Sequence, residues 1–380
     1  MANKSINKII VFSQTFGLGG AESFLTDLLV ELKKQGVDVE VFANYPRWQT
    51  ILIQNKIKVT RVPFDLDIIG DWKGLVKAIL VLPYAVFFYG RIINNSSVND
   101  CFLFPSFGDK ILGSFLANFF HKKIIWIEFG PLSSVFKKFA NLPKYLYVLV
   151  KDYPQVVITS SNHSCQKLKQ EVKFKLPSLQ VIPCGRSLPT TKSKFSTHHG
   201  MRIVCISRLE PGKGQDLLIK AMAKIYPQLP QASLKIVGEG AWYKELTVLS
   251  STLGLESCIT FTGRVDNAWK EIEQADVIVC PSMWELEGFG MVAIEAMALA
   301  KPVVGFNRGP TNEIVIHGQT GLLAEPGNIN DLAKQILKLL KHPEQRKIFG
   351  QQGQKIFQQR YTIPAVASQY QQAICRSLTT

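Results

Sequence analysis

A short β-branched apolar run, NKIIVFSQ at 7–14, is followed by a glycine-rich turn, by AESFLTDLLVELKKQG with apolar residues at helical spacing, and by a second apolar run, VDVEVFA. Strand, loop, helix and strand in that order make a βαβ unit, because two parallel strands can be joined only by a long crossover. The pattern returns less cleanly at DCFLF, KKIIWIEFG and QVVITSSNHSCQKLKQEV, where an apolar run gives way to a polar turn and a helix. A second series opens near 201 with MRIVCISRLEPGKGQDLLIKAMAKI and continues through ASLKIVGEG, CITFTGRV, ADVIVCPS, KPVVGFN and GLLAEPG. Two such series predict an α/β protein with two Rossmann-like, doubly wound domains. Between them, PCGRSLPTTKSKFSTHHG (183–200) has no hydrophobic period. The expected divisions are an N-terminal domain over 1–186, a linker over 187–200, and a C-terminal domain over 201–362. The last helix, at about 363–380, is expected to fold back on the first domain. Ligands of open α/β sheets bind beyond the carboxyl ends of the strands, so two facing domains would hold their crevice between them.

The length of 380 residues, 46% of them apolar, suits two such domains and argues against disorder. Seven cysteines, odd in number and without a C-x-x-C pair, fit a reduced cytoplasm, and the opening MANKSINKIIVFSQTFG lacks the long apolar core of a signal peptide. Neither the cysteines nor the six dispersed histidines suggest a metal centre.

The formal net charge of +15 is concentrated in the first 200 residues, which carry 25 Lys+Arg against 13 Asp+Glu. Such a field favours an anionic partner. No zinc finger, RNP-type strand or zipper accompanies it, so nucleic acid is not expected and an anionic membrane surface is. WKGLVKAILVLPYAVFFYGRII (72–93) points the same way, with Lys73, Lys77 and Arg91 around a strongly apolar stretch. Lys77 and Pro83 shorten its uninterrupted apolar part below a membrane span. Two readings stand: a buried helix or helix pair, and an interfacial membrane contact.

The loop after RIVCIS holds Arg208 and Lys213 around Pro211 and Gly212, before a helix. A point charge, a planar guanidinium and a helix start suit a diphosphate, although a solvated basic pair is the plainer alternative. EGFG at 287–290 follows the strand ADVIVCPS and precedes the helix MVAIEAMALA, so Gly288 and Gly290 allow main-chain N–H groups near a ligand. Glu287 could accept hydrogen bonds from sugar hydroxyls. Glu295 sits on an apolar face and needs a donor such as ribose, or else a lysine partner.

In order, SRLEPGKG, IVGEG, FTGRV, EGFGMVAIEAMA, KPVVG and GPTNEIVIHGQTGLL resemble the retaining glycosyltransferases of family 4, the glycosyl transferases group 1, over nearly all of 201–340. The resemblance implies the GT-B fold, two Rossmann-like domains facing an inter-domain cleft. It implies that Arg208 and Lys213 hold the donor diphosphate, Glu287 the donor sugar and Glu295 the ribose. Main-chain groups at Phe289, Gly290 and Met291 would meet sugar and phosphate. Arg264 and Val265 would meet the base, with Gly238 and Gly240 leaving room for it. No metal and no cofactor are implied, the nucleotide diphosphate sugar being a substrate.

The N-terminal half is similar more loosely. FGLGGAESFLTDLL resembles the family's first glycine loop, in which Gly19 and Gly20 admit donor sugar and acceptor. Family members commonly carry His before the glycine of EFGPL, where this chain has Phe129. Phe129 cannot donate a hydrogen bond, so the polar role is expected of Glu128 or of a neighbour such as His121; pairing of Glu128 with Lys122 or Lys123 is the structural alternative. Cys184 stands where the family often has Asn, and no function is attached to it. The resulting expectation is a retaining, metal-independent hexosyltransferase, cytoplasmic and peripheral on the inner membrane face. It would move a sugar from UDP or GDP to a lipid-linked or cell-surface glycan. A GT-B phosphorylase, a non-catalytic sugar-nucleotide or membrane-surface binding protein, and a nicotinamide enzyme using Glu40 as its ribose acid are the alternatives.

Overall fold

In the computed structural model the described residues are 8–15, 17–172, 176, 178–188, 200–265 and 267–379. Most of the expected linker, 189–199, therefore lies outside them. The chain divides into two compact units, Met1–Gly185 with Ile363–Thr380, and Arg186–Thr362.

The first unit runs β1 (Lys8–Ser13), α1 (Gly20–Lys34), β2 (Asp38–Ala43), α2 (Pro46–Gln54), β3 (Lys58–Arg61), α3 (Trp72–Asn94), β4 (Cys101–Phe104), α4 (Phe107–Phe119), β5 (Lys123–Glu128), α5 (Ser133–Phe136), α6 (Leu142–Val150), β6 (Val156–Thr159), α7 (Asn162–Val172) and β7 (Ser178–Val181). Its strands are parallel in the order β3-β2-β1-β4-β5-β6-β7. β1, β4, β5 and β6 are buried almost throughout, which is why they read as continuous apolar runs. β3 (KVTR) and β7 (SLQV) were not legible as strands. Both are four-residue sheet edges, half-exposed and polar, and a strand buried on neither face needs no apolar pattern.

The second unit comprises β8 (Met201–Ile206), α8 (Gln215–Ile225), β9 (Ala232–Val237), α9 (Tyr243–Thr252), β10 (Ile259–Phe261), α10 (Ala268–Glu273), β11 (Val277–Cys280), α11 (Met291–Ala298), β12 (Val303–Phe306), α12 (Thr311–Ile314), β13 (Gly321–Ala324), α13 (Ile329–Lys341) and α14 (Pro343–Arg360). Its six parallel strands lie in the order β10-β9-β8-β11-β12-β13. The terminal helix α15 (Ile363–Thr379) packs within the first unit, against α1 and β6.

The segment 72–93 corrects one expectation. Pro83 does not divide it into a helix pair: α3 is a single helix of 23 residues, capped by the Asp71 carboxylate, which accepts from the Gly74 N–H at 2.8 Å. Proline removes one donor and leaves the carbonyl four residues earlier without its partner, but Pro83 faces outward and the helix continues. Nor is the helix buried. Only Leu75, Ala78, Ala85, Tyr89 and Ile93, spaced by three to seven, are buried, with Val81, Phe88 and Ile92 half-buried against the core beside them.

Two buried polar groups tie the first unit's helices to its strand ends. Asp109, fully buried at the start of α4, accepts from the Gln14 backbone N–H (2.7 Å) and from the Tyr89 hydroxyl (2.6 Å). Gln14 in turn accepts from the Leu66 N–H at 2.7 Å. Burial pushes the Asp109 carboxyl up to about 6, against those hydrogen bonds, which favour the ionised form. Next to it Lys110, 2% exposed, ion-pairs with Glu128 at 2.8 Å, and the Tyr147 hydroxyl donates to the same carboxylate at 3.0 Å.

Each arrangement carries an expected outcome. Lys110→Met strands a buried carboxylate and should cost about 3–5 kcal/mol in urea unfolding, whereas Lys110→Met with Glu128→Gln should recover much of it. Because the folded pKa of Asp109 lies above its unfolded value, the folded state binds the extra proton. Its contribution to stability therefore falls as pH rises from about 4 to about 6. Asp109→Asn should flatten that part of the stability profile; an unchanged slope would show that other groups set it.

Candidate active site

Each sheet reverses its direction of winding once, beside β1 and β4 in the first unit and beside β8 and β11 in the second. The helices that follow those two strands lie on opposite sides of the sheet, and ligands of such sheets bind at the loops between strand and helix, so the fold offers one candidate site per unit.

In the second unit the loops are 207–214, after β8, and 281–290, after β11. Lys213, buried to 8% exposure, ion-pairs with Glu287 at 2.7 Å, and Ser282 donates a hydrogen bond to the same carboxylate oxygen at 2.8 Å. The Lys213 ammonium lies 3.9 Å from the centroid of the Trp284 ring, and the Arg208 guanidinium lies 5.3 Å from it. Trp284 thus gathers both cations on one aromatic ring by cation–π attraction. Arg208 is largely exposed and held by Glu210 at 2.8 Å. Gln215, fully buried, donates to the Ser207 hydroxyl and the Arg208 carbonyl, each at 2.8 Å, and fixes the loop's start.

Glycines make this convergence possible. At Gly214, with φ +79, a Cβ would stand 1.9 Å from the Pro281 carbonyl oxygen, so the two loops touch only because the side chain is missing. Gly238 and Gly240 were expected to leave room for a base. A Cβ at these two positions would meet the carbonyl oxygens of Ser207 and Leu209 at 1.9 and 2.2 Å. These glycines seat the loop that carries Arg208.

Glu295, in α11 and 8% exposed, ion-pairs with Arg186 at 2.9 Å rather than with a lysine. Arg186 also lies 5.5 Å from the Trp269 ring centroid and pairs through its backbone with Tyr361 and Thr362. Gly290, φ +127, caps α11 just before Met291, and buried Phe289 packs edge-on against Tyr361 at 6.1 Å. Arg264, at the end of β10, pairs with Glu239 at 3.2 Å, and Val265 beside it is half-buried. Arg208, Lys213 and Glu287 are therefore brought together, while Arg264 and Glu295 are held by other partners. Trp284 and Ser282 were missed. Their only signal was position in the loop after an apolar strand, three and five residues before Glu287.

In the first unit the corresponding loops line a cavity of ≈ 230 Å³, with Gln14 and Thr15 after β1, Ser106 and Gly108 after β4, and Phe129 after β5. Gly19 caps α1 and Gly20 begins it; both are exposed, and the Glu22 carboxylate accepts from the Gly19 N–H and the Thr15 hydroxyl, each at 2.8 Å. Glu128 stands at the end of β5, but its carboxylate is 2% exposed and taken by Lys110 and Tyr147. Lys122 and Lys123 are not its partners. They and His121 lie at the opposite end of β5, roughly 17 Å along the strand. Glu40, the ribose acid of the nicotinamide alternative, lies inside β2 rather than beyond its carboxyl end. Lys8 (2.5 Å) and Lys58 (3.0 Å) bind it there.

The family model of glycosyl transferases group 1 matches residues 191–356. An uncharacterized glycosyltransferase of Haemophilus influenzae is 27% identical over 344 residues, 89% of this chain and 92% of that one. A GDP-mannose-dependent alpha-(1-6)-phosphatidylinositol monomannoside mannosyltransferase of Mycobacterium tuberculosis is 34% identical over 195 residues, 47% of this chain and 51% of its own. Among solved structures, HepE of Anabaena in complex with UDP and glucose superposes with a TM-score of 0.80 at 23% identity, covering 97% of this chain and 99% of that one. TarM of S. aureus in complex with UDP superposes with a TM-score of 0.78 at 16% identity, over 97% and 99% of the two chains. At these identities the structures establish the fold, two Rossmann-like units of the GT-B type, while the family model falls on the unit that carries Lys213 and Glu287. Residues 191–356 thus carry the sequence pattern of the glycosyl transferases group 1.

Proposed function

We propose that this glycosyltransferase moves a hexose from UDP or GDP to an acceptor hydroxyl with retention of configuration and without a metal ion. The observation that supports this reading most is the cluster of Lys213, Arg208 and Glu287 around Trp284, two cations and one carboxylate where two loops converge. A diphosphate needs cations, and a sugar needs acceptors for its hydroxyls. Here each group serves as the other's partner. A donor that takes up both exchanges one internal ion pair for charge-assisted contacts to phosphate and hydroxyl.

In the reaction, the acceptor oxygen bonds to the anomeric carbon as the bond from that carbon to the β-phosphate oxygen breaks. The acceptor proton passes to the departing diphosphate oxygen on the same face. The protein then supplies no strong base; it stabilises charge on the leaving group and orients the acceptor. Lys213, dehydrated beside an indole ring, suits the first task, because a fixed cation in a site of low dielectric constant stabilises developing charge more than one in water. Glu295 would take the ribose hydroxyls in competition with Arg186. Glu128, with both its known partners buried beside it, is assigned to holding α4 against β5 rather than to contact with substrate.

Phosphatidylinositol mannoside synthesis by the M. tuberculosis relative and UDP binding by the HepE structure motivate the donor classes and a lipid-linked or cell-surface glycan as acceptor. The cavity beside Gln14, Thr15 and Phe129 is the acceptor's proposed seat. The site of action is proposed to be the cytoplasm, at the inner face of the membrane.

The test begins with thermal shifts against UDP, GDP and their sugars, followed by donor hydrolysis and transfer. Lys213→Ala and Glu287→Ala should each lose on the order of a hundredfold or more in turnover while still folded, Glu287→Ala with a lowered melting temperature because it leaves buried Lys213 without its counter-charge. Near-normal turnover in either would sink the assignment. Trp284→Ala, which frees both cations, should cost about three- to thirtyfold in kcat/KM, in line with a cation–π contact partly shielded from water. Chelator should leave turnover unchanged. UDP or GDP binding with neither hydrolysis nor transfer would favour the non-catalytic alternative, for which Phe129 in the cavity wall is the observation.

A further inference from the structure

We propose that α3, α4 and α6 of the first unit form one membrane-docking face, lying in the surface of a bilayer that carries anionic lipids. The proposal does not rest on the donor reading, since it concerns neither Lys213 nor Glu287.

The three helices cover the same side of the first sheet. Tyr89 and Ile93 of α3, Leu116 of α4 and Tyr147 of α6 share one buried cluster with Phe12 and Trp126 of the strands. α4 packs against both α3 and α6. A surface helix ordinarily turns polar residues outward. Here the outward residues are the apolar ones: Leu80 is 75% exposed, Phe87 65%, Phe119 69%, Tyr145 68% and Leu149 65%. Trp72, 66% exposed at the start of α3, packs edge-on against Phe139 in the loop before α6, so the apolar surface runs from one helix to the next. Isolated exposed apolar side chains need no explanation, but a connected surface of this kind marks an interaction site.

Charge identifies the occupant. Between residues 72 and 151 there are three acidic residues, Asp100, Asp109 and Glu128, and all three are buried. Every exposed charge on this stretch is therefore positive, including Lys73, Lys77, Arg91, Lys137 and Lys138, and two acids just before it are engaged, Asp65 with Lys77 and exposed Asp71 in capping α3. A second copy docking through the same face would set cations against cations. A bilayer with anionic headgroups answers both features, accepting the apolar side chains and attracting the basic ones.

α3 is long and apolar enough to span a membrane, yet its other contacts require it to lie flat. Its inner stripe, Leu75 to Ile93, is part of the sheet's core, and the Tyr89 hydroxyl is hydrogen-bonded to Asp109 beneath it. In its second turn, Lys77 ion-pairs with Asp65 at 3.2 Å. A spanning orientation would expose these groups to hydrocarbon, whereas an in-plane one sinks only the outer face, about 5–10 Å deep.

The experiment uses the full chain with vesicles of phosphatidylcholine alone and with added phosphatidylglycerol. Sedimentation with the anionic vesicles is expected, weakening but persisting as salt rises, because part of the contact is apolar. Leu80→Glu and Phe87→Glu should each reduce it about tenfold, roughly the loss of a buried apolar side chain, at unchanged melting temperature. Should either variant fold poorly, the wild-type chain supplies a second reading: brominated lipid should quench tryptophan fluorescence, and Trp72→Phe should abolish that quenching. Failure to sediment with anionic vesicles, equal binding by both folded glutamate variants, or absence of quenching would overturn the proposal. So would light scattering that shows a dimer dispersed by Leu80→Glu.

Discussion

The reversal of strand order inside each parallel sheet is the constraint on which the rest of the molecule depends. A parallel strand must be followed by a crossover, and when successive crossovers switch sides of the sheet, two loops separate at the carboxyl ends of neighbouring strands. That happens beside β1 and β4, and again beside β8 and β11. The cavity with Gln14 and Ser106 and the cluster of Lys213 with Glu287 are the two results. The chemistry is thus carried by residues whose positions are set by hydrogen-bonded strands, while the loops themselves stay short and close-packed. Gly214 shows how close, since the backbone of one loop occupies the place of its missing side chain.

Within the second unit, electrostatics and packing are interdependent. Lys213 is almost dry, and a buried ammonium is tolerable only with a counter-charge and a polarisable neighbour. Glu287 and Trp284 provide them. The same surroundings that make the cation affordable without a ligand make it strong towards a phosphate, because little water remains to screen it. The first unit solves a similar problem differently. Lys110 and Glu128 neutralise each other, and Tyr147 takes up a further lone pair, leaving a closed network that holds α4 to β5. Two lysine–glutamate pairs thus serve different ends according to how much of each remains open to a ligand.

The fold was largely legible in the sequence, since strands buried on both faces must be apolar throughout and helices between them must alternate at helical spacing. The edge strands β3 and β7 were not, having no second covered face to impose a pattern. At the site, Arg208, Lys213 and Glu287 could be picked out because the motifs around them occur in a fixed order. Trp284 could not, as a tryptophan in a loop carries no mark that its ring lies under two cations. The partners of Glu128 and Glu295 were also hidden. Lys110 reaches Glu128 at the end of β5 from α4, and Arg186, the second unit's first residue, reaches Glu295 in α11.

Sequence alone determined that this chain winds two parallel sheets and that the second carries the group 1 glycosyltransferase motifs, because strand burial and loop glycines leave local traces. Tertiary structure decided which charges pair, what the glycines at 238 and 240 make room for, and which way α3 turns its apolar side. Those are contacts between residues far apart in the chain. A local pattern records that a side chain is apolar or charged; only the surface it meets after folding fixes whether it is buried, paired or left facing outward.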